Sequence, residues 1–146
     1  MRKGTDVPDE ADAVATLTEV QARFVQDPNY AVVAALREDG SPHQTVIWVD
    51  WDGVHVLLNL NQERAKLRYL RNDPRVSVLV LHREDPYRWL GIDGEVAEIT
   101  TECAYEHIVH LASVYRGRAE YRLKPGEERV LVKVRPLRVH PYGLKG

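Results

Sequence analysis

Leu58-Asn59-Leu60-Asn61-Gln62-Glu63-Arg64-Ala65-Lys66-Leu67-Arg68-Tyr69-Leu70-Arg71-Asn72-Asp73-Pro74-Arg75-Val76 is the stretch on which the reading of the fold turns. An apolar run ends in two asparagines, a short basic segment follows, and a new apolar run starts at Arg75-Val76. The residue before a proline is pushed out of helical geometry, so Asn72-Asp73-Pro74 stops the basic segment. The order is therefore strand, short helix, strand. Isolated helices of under about 12 residues are marginal in water, so this one must dock on a core. Leu67 and Leu70 are the residues that can dock it.

The cations make the stretch informative. Arg64 and Lys66 fall at the helix entrance, where unpaired N–H groups and the positive end of the dipole already favour an anion. Added cations oppose that dipole unless an anion lies between them, and a phosphate would supply one. The competing reading is a solvated basic face of Arg64, Lys66, Arg68 and Arg71, with Glu63 as a partial partner.

Upstream, Thr18-Glu19-Val20-Gln21 has the form of a capping box, and Asp27-Pro28-Asn29 ends the helix it opens. Tyr30 to Leu36 is nearly all apolar and reads as a strand buried on both faces. Asp39-Gly40 and Asp52-Gly53 mark tight turns, since glycine supplies the positive φ they need. The run from His43 to Asp50 between them reads as one strand, and Val54 to Leu60 as the next.

Downstream, Val76 to Leu81 and Tyr87 to Ile99 read as strands, with Gly91 and Gly94 at bends or bulges. Thr100 or Thr101 is expected to cap a helix from Glu102 to about Tyr115, with Ile108, Leu111, Ala112 and Tyr115 as its inner stripe. Val130 to Val139 alternates as a last strand. Six strands in hairpin-like succession, with few helices, predict a mainly β, six-stranded antiparallel barrel with helices outside.

At 146 residues the chain suits one domain, expected over 17–146 behind a mobile acidic leader at 1–16. Hydrophobic residues make up 44% and charged residues 29%, and the net charge is −2, so no general attraction to nucleic acid or membrane is expected. The single cysteine, Cys103, excludes an intrachain disulfide framework. With no signal-peptide pattern and no spanning apolar run, the expected location is cytoplasmic.

No Rossmann glycine motif, Walker loop, H-E-x-x-H or G-x-S-x-G occurs. His107 and His110 stand three apart on a helix, but nothing completes a metal site and they read as surface histidines. Cys103 reads as a small buried hydrophobe rather than a nucleophile. What remains is an anion-binding turn beside an apolar strand bearing Trp48. That pairing suits a flat aromatic cofactor with a phosphate tail.

In order and spacing, Asp39-Gly40-Ser41-Pro42-His43, Val46-Ile47-Trp48-Val49, Asn59 with Glu63 to Ser77, Asp85 to Val96 and Arg129 to Pro136 resemble one family. It is the split β-barrel flavin-binding superfamily, pyridoxamine-phosphate-oxidase-like, and within it the deazaflavin-dependent branch. The resemblance runs over about residues 17 to 141 and implies the FMN-binding split-barrel type.

It also implies a homodimer with cofactor sites at the interface and coenzyme F420 as the cofactor. Carried onto this sequence, Thr45, Val46, Ile47 and Trp48 lie along the ring, Arg64 and Lys66 on the phosphate, and Asn59 and Leu60 near the tail. Trp89 is expected to reach the site from the partner subunit. The run His43 to Asp50 lacks the arginine that holds flavin phosphate in pyridoxamine phosphate oxidases proper, and Arg138-Val139-His140 only faintly echoes their substrate signature. The expectation is hydride transfer from reduced F420 to an organic acceptor, with His43 or a water as proton source. An FMN-dependent enzyme and a non-catalytic flavin or haem binder are the alternatives.

Overall fold

A computed structural model describes residues 14–146 of the chain. The strands are β1 (Tyr30–Leu36), β2 (Pro42–Ile47), β3 (Val49–Trp51), β4 (Val56–Asn61), β5 (Arg75–Leu81), β6 (Trp89–Thr100) and β7 (Arg129–Tyr142). Three helices accompany them among the described residues: α1 (Glu19–Gln26), α2 (Ala65–Asn72) and α3 (Ala104–Arg116). All these strands join one antiparallel sheet in the order β2-β1-β5-β6-β7-β4-β3.

The two edge strands of that sheet, β2 and β3, are neighbours in the chain with only Trp48 between them. A sheet whose opposite edges are one residue apart must curl back on itself, and this curl is the split barrel. The run expected as one strand from His43 to Asp50 is therefore two, and the sheet has seven strands rather than six. The break follows from pairing: Ile47 is bound in register to Ala31 on β1, whereas Val49 is bound to Leu58 on β4.

The core lies inside the curl. Val33, Val49, Val56, Leu58, Val78, Val80, Leu90, Ile92, Val132 and Val134 are all at most 1% exposed, at alternate positions of the strands that supply them. Burying each such side chain contributes about 1.5–3 kcal/mol. Leu67 and Leu70 of α2 join this core, which is how a two-turn helix persists. β4 is buried on both sides because α3 covers its outer face, where Leu57 and Leu131 meet Ala104.

Local signals explain most boundaries. Thr18 Oγ1 accepts from the Gln21 amide (3.2 Å) and the Gln21 side chain accepts from the Thr18 amide (3.0 Å), the reciprocal capping box. Gly40 (φ 86°) and Gly53 (φ 100°) make the two expected turns. The ladder between β6 and β7 is irregular at Asp93/Gly94 and Val96/Glu98, beside one of the two expected glycines.

Three expectations are corrected. The threonine cap of α3 is absent: its N-cap is Cys103, left-handed at φ 61°, with no side-chain cap, and Cys103 is exposed rather than buried. β1 is buried on one face only, at Ala31, Val33 and Ala35; its other face, Val32 to Leu36, is half-buried and Tyr30 is exposed. The expected leader is a separate matter: its residues 1–13 lie outside the described residues, and of the rest the Ala15 amide donates to the Pro136 carbonyl (3.0 Å).

Candidate cofactor site

A cavity of about 340 Å³ opens where the end of β2, the end of β4 and the start of α2 converge. Its apolar wall is the run Thr45, Val46, Ile47 and Trp48, with Leu60 and Ile108 beside it. Trp48 stacks on Tyr115 (centroids 5.1 Å apart, 11° between planes), and the Arg116 guanidinium lies 4.8 Å from its ring. Four cations line the opening: Arg64, Lys66, Arg116 and Arg129, with Asn59 and Asn61 among them. No described lining residue is acidic.

Lys66 is 6% exposed, so the solvated-face reading fails for it. It has no ion pair or hydrogen bond among the described residues, and burial, reinforced by the Arg64 charge, pushes its pKa down to about 8. Arg64 is the N-cap of α2; no side chain caps the helix and its first turn holds no acid. A buried ammonium without a partner is costly, and an anion at this entrance removes the cost. Arg68 and Arg71 are exposed and do not line the cavity.

Arg129 is held by protein before any ligand arrives. Its Nε donates to Asn59 Oδ1 (2.9 Å), Nη2 to the Asn59 carbonyl (3.1 Å), and Nη1 to Glu127 Oε2 (2.7 Å). That arginine and the backbone beside it hold the Glu127 carboxyl below the usual carboxylate range, the Lys124 amide contributing most. Tyr115 fixes α3 to the barrel: its hydroxyl donates to the Asn29 carbonyl (2.7 Å) and accepts from the Val49 amide (3.1 Å). Burial pushes that phenol up to about 12, so it stays protonated.

The structure thus brings together Thr45, Val46, Ile47, Trp48, Asn59, Leu60, Arg64 and Lys66 around one cavity. Trp89 does not join them within one protomer; it stacks on Tyr142 at 5.4 Å. His43 is not a lining residue either: its ring meets Tyr69 edge-on at 5.3 Å. Arg116 and Arg129 were missed in the sequence, because a cation in the last turn of a helix or at a strand start has ordinary structural reasons. His107 is also not the surface residue expected. Its side chain is 10% exposed, with Nε2 3.0 Å from Asp50 Oδ2, whereas that of His110 is 58% exposed.

A curled antiparallel sheet with an apolar wall and a cationic rim is shared by many proteins, and comparison decides among them. The pyridoxamine 5'-phosphate oxidase family model matches residues 17–143. The chain belongs to the pyridoxamine 5'-phosphate oxidase family. Solved structures agree on the fold. An F420 reductase superposes with a TM-score of 0.73 at 27% identity, over 85% of this chain and 98% of that one. A conserved hypothetical protein of Mycobacterium tuberculosis gives 0.68 at 27% identity, over 89% and 86%. The haem storage protein of Vibrio cholerae shares the fold at a TM-score of 0.60 and 15% identity, over 84% and 92%.

Proposed function

We propose that this member of the oxidoreductase superfamily uses coenzyme F420 to reduce an organic acceptor. It does so as a homodimer with one cavity per protomer at the interface, in the cytoplasm. The observation that carries the reading is the pairing of a Trp48-bearing apolar wall with a cationic rim whose Lys66 is buried and lacks a described partner. The flat wall suits a tricyclic ring, and the rim suits a phosphate tail. Arg64, Lys66 and the free part of Arg129 would hold the phosphate; Thr45 to Trp48 would lie along the ring. Reduced F420, when bound, supplies a hydride from its ring C5.

The chain's own contribution is orientation and exclusion of water. Charge-assisted hydrogen bonds at the rim fix the tail, and the wall then fixes the plane of the ring against an acceptor at near-attack distance. Support for F420 over FMN comes from the F420 reductase at 27% identity and from a second strand without arginine. A haem-binding reading is disfavoured because no described residue lining the cavity is a histidine.

Support for the dimer comes from the outer face of β2, β1 and β5. Val46, Val32 and Leu79 stand in register across the three strands. Val46 is 66% exposed and Leu79 38%, and Val46 also borders the cavity, so a second copy on this face would roof it. Trp89, at the Leu81 end of the same sheet, is then free to approach the partner's cavity.

Parallel titrations of the purified protein with F420 and FMN test the cofactor. Low-micromolar or tighter binding of F420 and clearly weaker binding of FMN are expected. Tight FMN binding, or flavin carried through purification, overturns the choice.

A further inference from the structure

The hydrogen bonds around His107 admit one placement of protons. Arginine only donates, so Asn59 Oδ1, 2.9 Å from Arg129 Nε, must be the acceptor, and the Asn59 amide cannot be turned round. Its Nδ2 then donates to the Ala104 carbonyl (2.8 Å) and points its other hydrogen at His107 Nδ1 (3.2 Å). That nitrogen must present a lone pair, so the ring proton sits on Nε2 and is donated to Asp50 Oδ2 at 3.0 Å. Asp50 Oδ1 accepts from the Trp51 amide (2.8 Å), which fixes the carboxylate in turn. The chain of donors runs from Arg129 to Asn59 to His107 to Asp50 and links three strands to α3.

We infer that His107 is a positioning residue for the cavity's anion site, acting through Asn59 on Arg129. The inference rests on the cavity being the cofactor site. Arg129 spends its Nε–H on Asn59 Oδ1, both Nη1 hydrogens on Glu127 and Tyr121, and one Nη2 hydrogen on the Asn59 carbonyl. One Nη2 hydrogen is left among the described partners, and its direction is set by how Asn59 is held. The groups facing His107 are Asp50 from β3, Asn59 from β4 with Arg129 of β7 behind it, and His110 on its own helix. His110 Nε2 lies 3.7 Å from the same Asp50 oxygen.

A second proton on the ring must go to Nδ1, where it meets the Asn59 amide donor head-on. Asn59 then either withdraws or turns over, and turning over sets its Nδ2 against the Arg129 Nε–H. Both outcomes remove a partner from Arg129. Anion affinity therefore falls as His107 takes up a proton.

The test uses His107→Asn and His107→Leu. Asparagine offers an acceptor at the Nδ1 position and does not titrate; leucine offers none. Long-range proton–nitrogen spectra of the free protein should show Nδ1 bare and Nε2 protonated in the neutral ring. In the same spectra the Arg129 Nε–H resonance should move in His107→Leu and stay in place in His107→Asn. In F420 titrations His107→Leu should bind about 2- to 12-fold more weakly, the equivalent of one hydrogen bond. On acidification the parent should lose affinity relative to His107→Asn, whose side chain takes up no proton.

The spectra need no ligand, so they decide the relay even if F420 does not bind and the cofactor reading falls. Should His107→Leu fail to fold, the ring nitrogens and the His107→Asn comparison still decide. A neutral ring protonated on Nδ1 overturns the inference. So does an Arg129 resonance and an F420 affinity unmoved in both variants.

Discussion

Lys66 is 6% exposed as a residue, and its ammonium feels the Arg64 charge and lacks a described partner. Its titration near pH 8, against about 10.4 in an unfolded chain, gives two opposite trends in one window. Between those values the unfolded state holds the proton more often than the native one, so this group makes the cofactor-free protein more stable as pH rises. Over the same range the lysine loses its charge, so binding of a phosphate-bearing cofactor should weaken. Melting temperature and F420 dissociation constant measured from pH 7 upward should therefore rise together. Lys66→Met removes the charge but keeps the buried stem. It should weaken F420 binding about 10- to 150-fold, the loss of one charge-assisted bond. It should also raise the cofactor-free melting temperature. Arg68→Ala and Arg71→Ala should shift affinity several-fold at most, through a field that added salt screens. If Lys66→Met binds F420 like the parent, the rim is not a phosphate site.

Among the elements, β6 is the one whose glycines have distinct jobs. A Cβ on Gly94 would lie 2.5 Å from the Arg135 carbonyl oxygen, a backbone atom at an irregular step of the ladder. A Cβ on Gly91 would meet the ring of His140, at 2.1 Å from Nε2, and that exposed side chain can swing away. Gly94→Ala should cost roughly 2–4 kcal/mol in urea unfolding and Gly91→Ala about 1 kcal/mol or less. Equal costs would mean that the ladder gives way at Gly94 as easily as a side chain does. The sequence exposed these elements well where a local signal sets the boundary: the capping box at Thr18, the stop at Pro74, the Asp-Gly turns. It hid the break at Trp48, because Val46 to Val49 runs apolar straight across it and only the partners, β1 and β4, differ. The α3 cap was hidden too, since Cys103 takes a left-handed geometry that threonine two residues earlier gave no reason to expect. For the site, Arg64 and Lys66 stood out because cations at a helix entrance conflict with its dipole. Arg116 and Arg129 did not, because each suits its own element.

On the scale of the whole molecule, the half-open face of β2, β1 and β5 is the feature a single chain leaves unfinished. Val46, Val32 and Leu79 form an apolar line there. Isologous pairing is the common way to cover such a face. Light scattering at micromolar concentration should give about twice the 16.7 kDa of one chain, and Val46→Lys should lower that mass and weaken F420 binding together. A parent mass near 16.7 kDa would remove the roof from the proposed site. One-sided burial of β1 is what the apolar run Tyr30 to Leu36 concealed, since a strand whose outer face is also apolar reads like one buried on both faces.

The strand order also sets a sequence of events in time. β1 and β2 can pair as soon as both have left the ribosome, and β5 and β6 add to them in turn. β4 must wait for β7, because Leu60 finds its partner in Val130 and Val56 in Val134. Until then one side of β4 is a bare row of amides and carbonyls, with only the short β3 on the other. Bare strand edges recruit strands from neighbouring chains. A polypeptide interrupted before Arg129 therefore keeps its early hairpins but lacks the strand that seals them, and its expected fate is aggregation rather than a smaller soluble barrel.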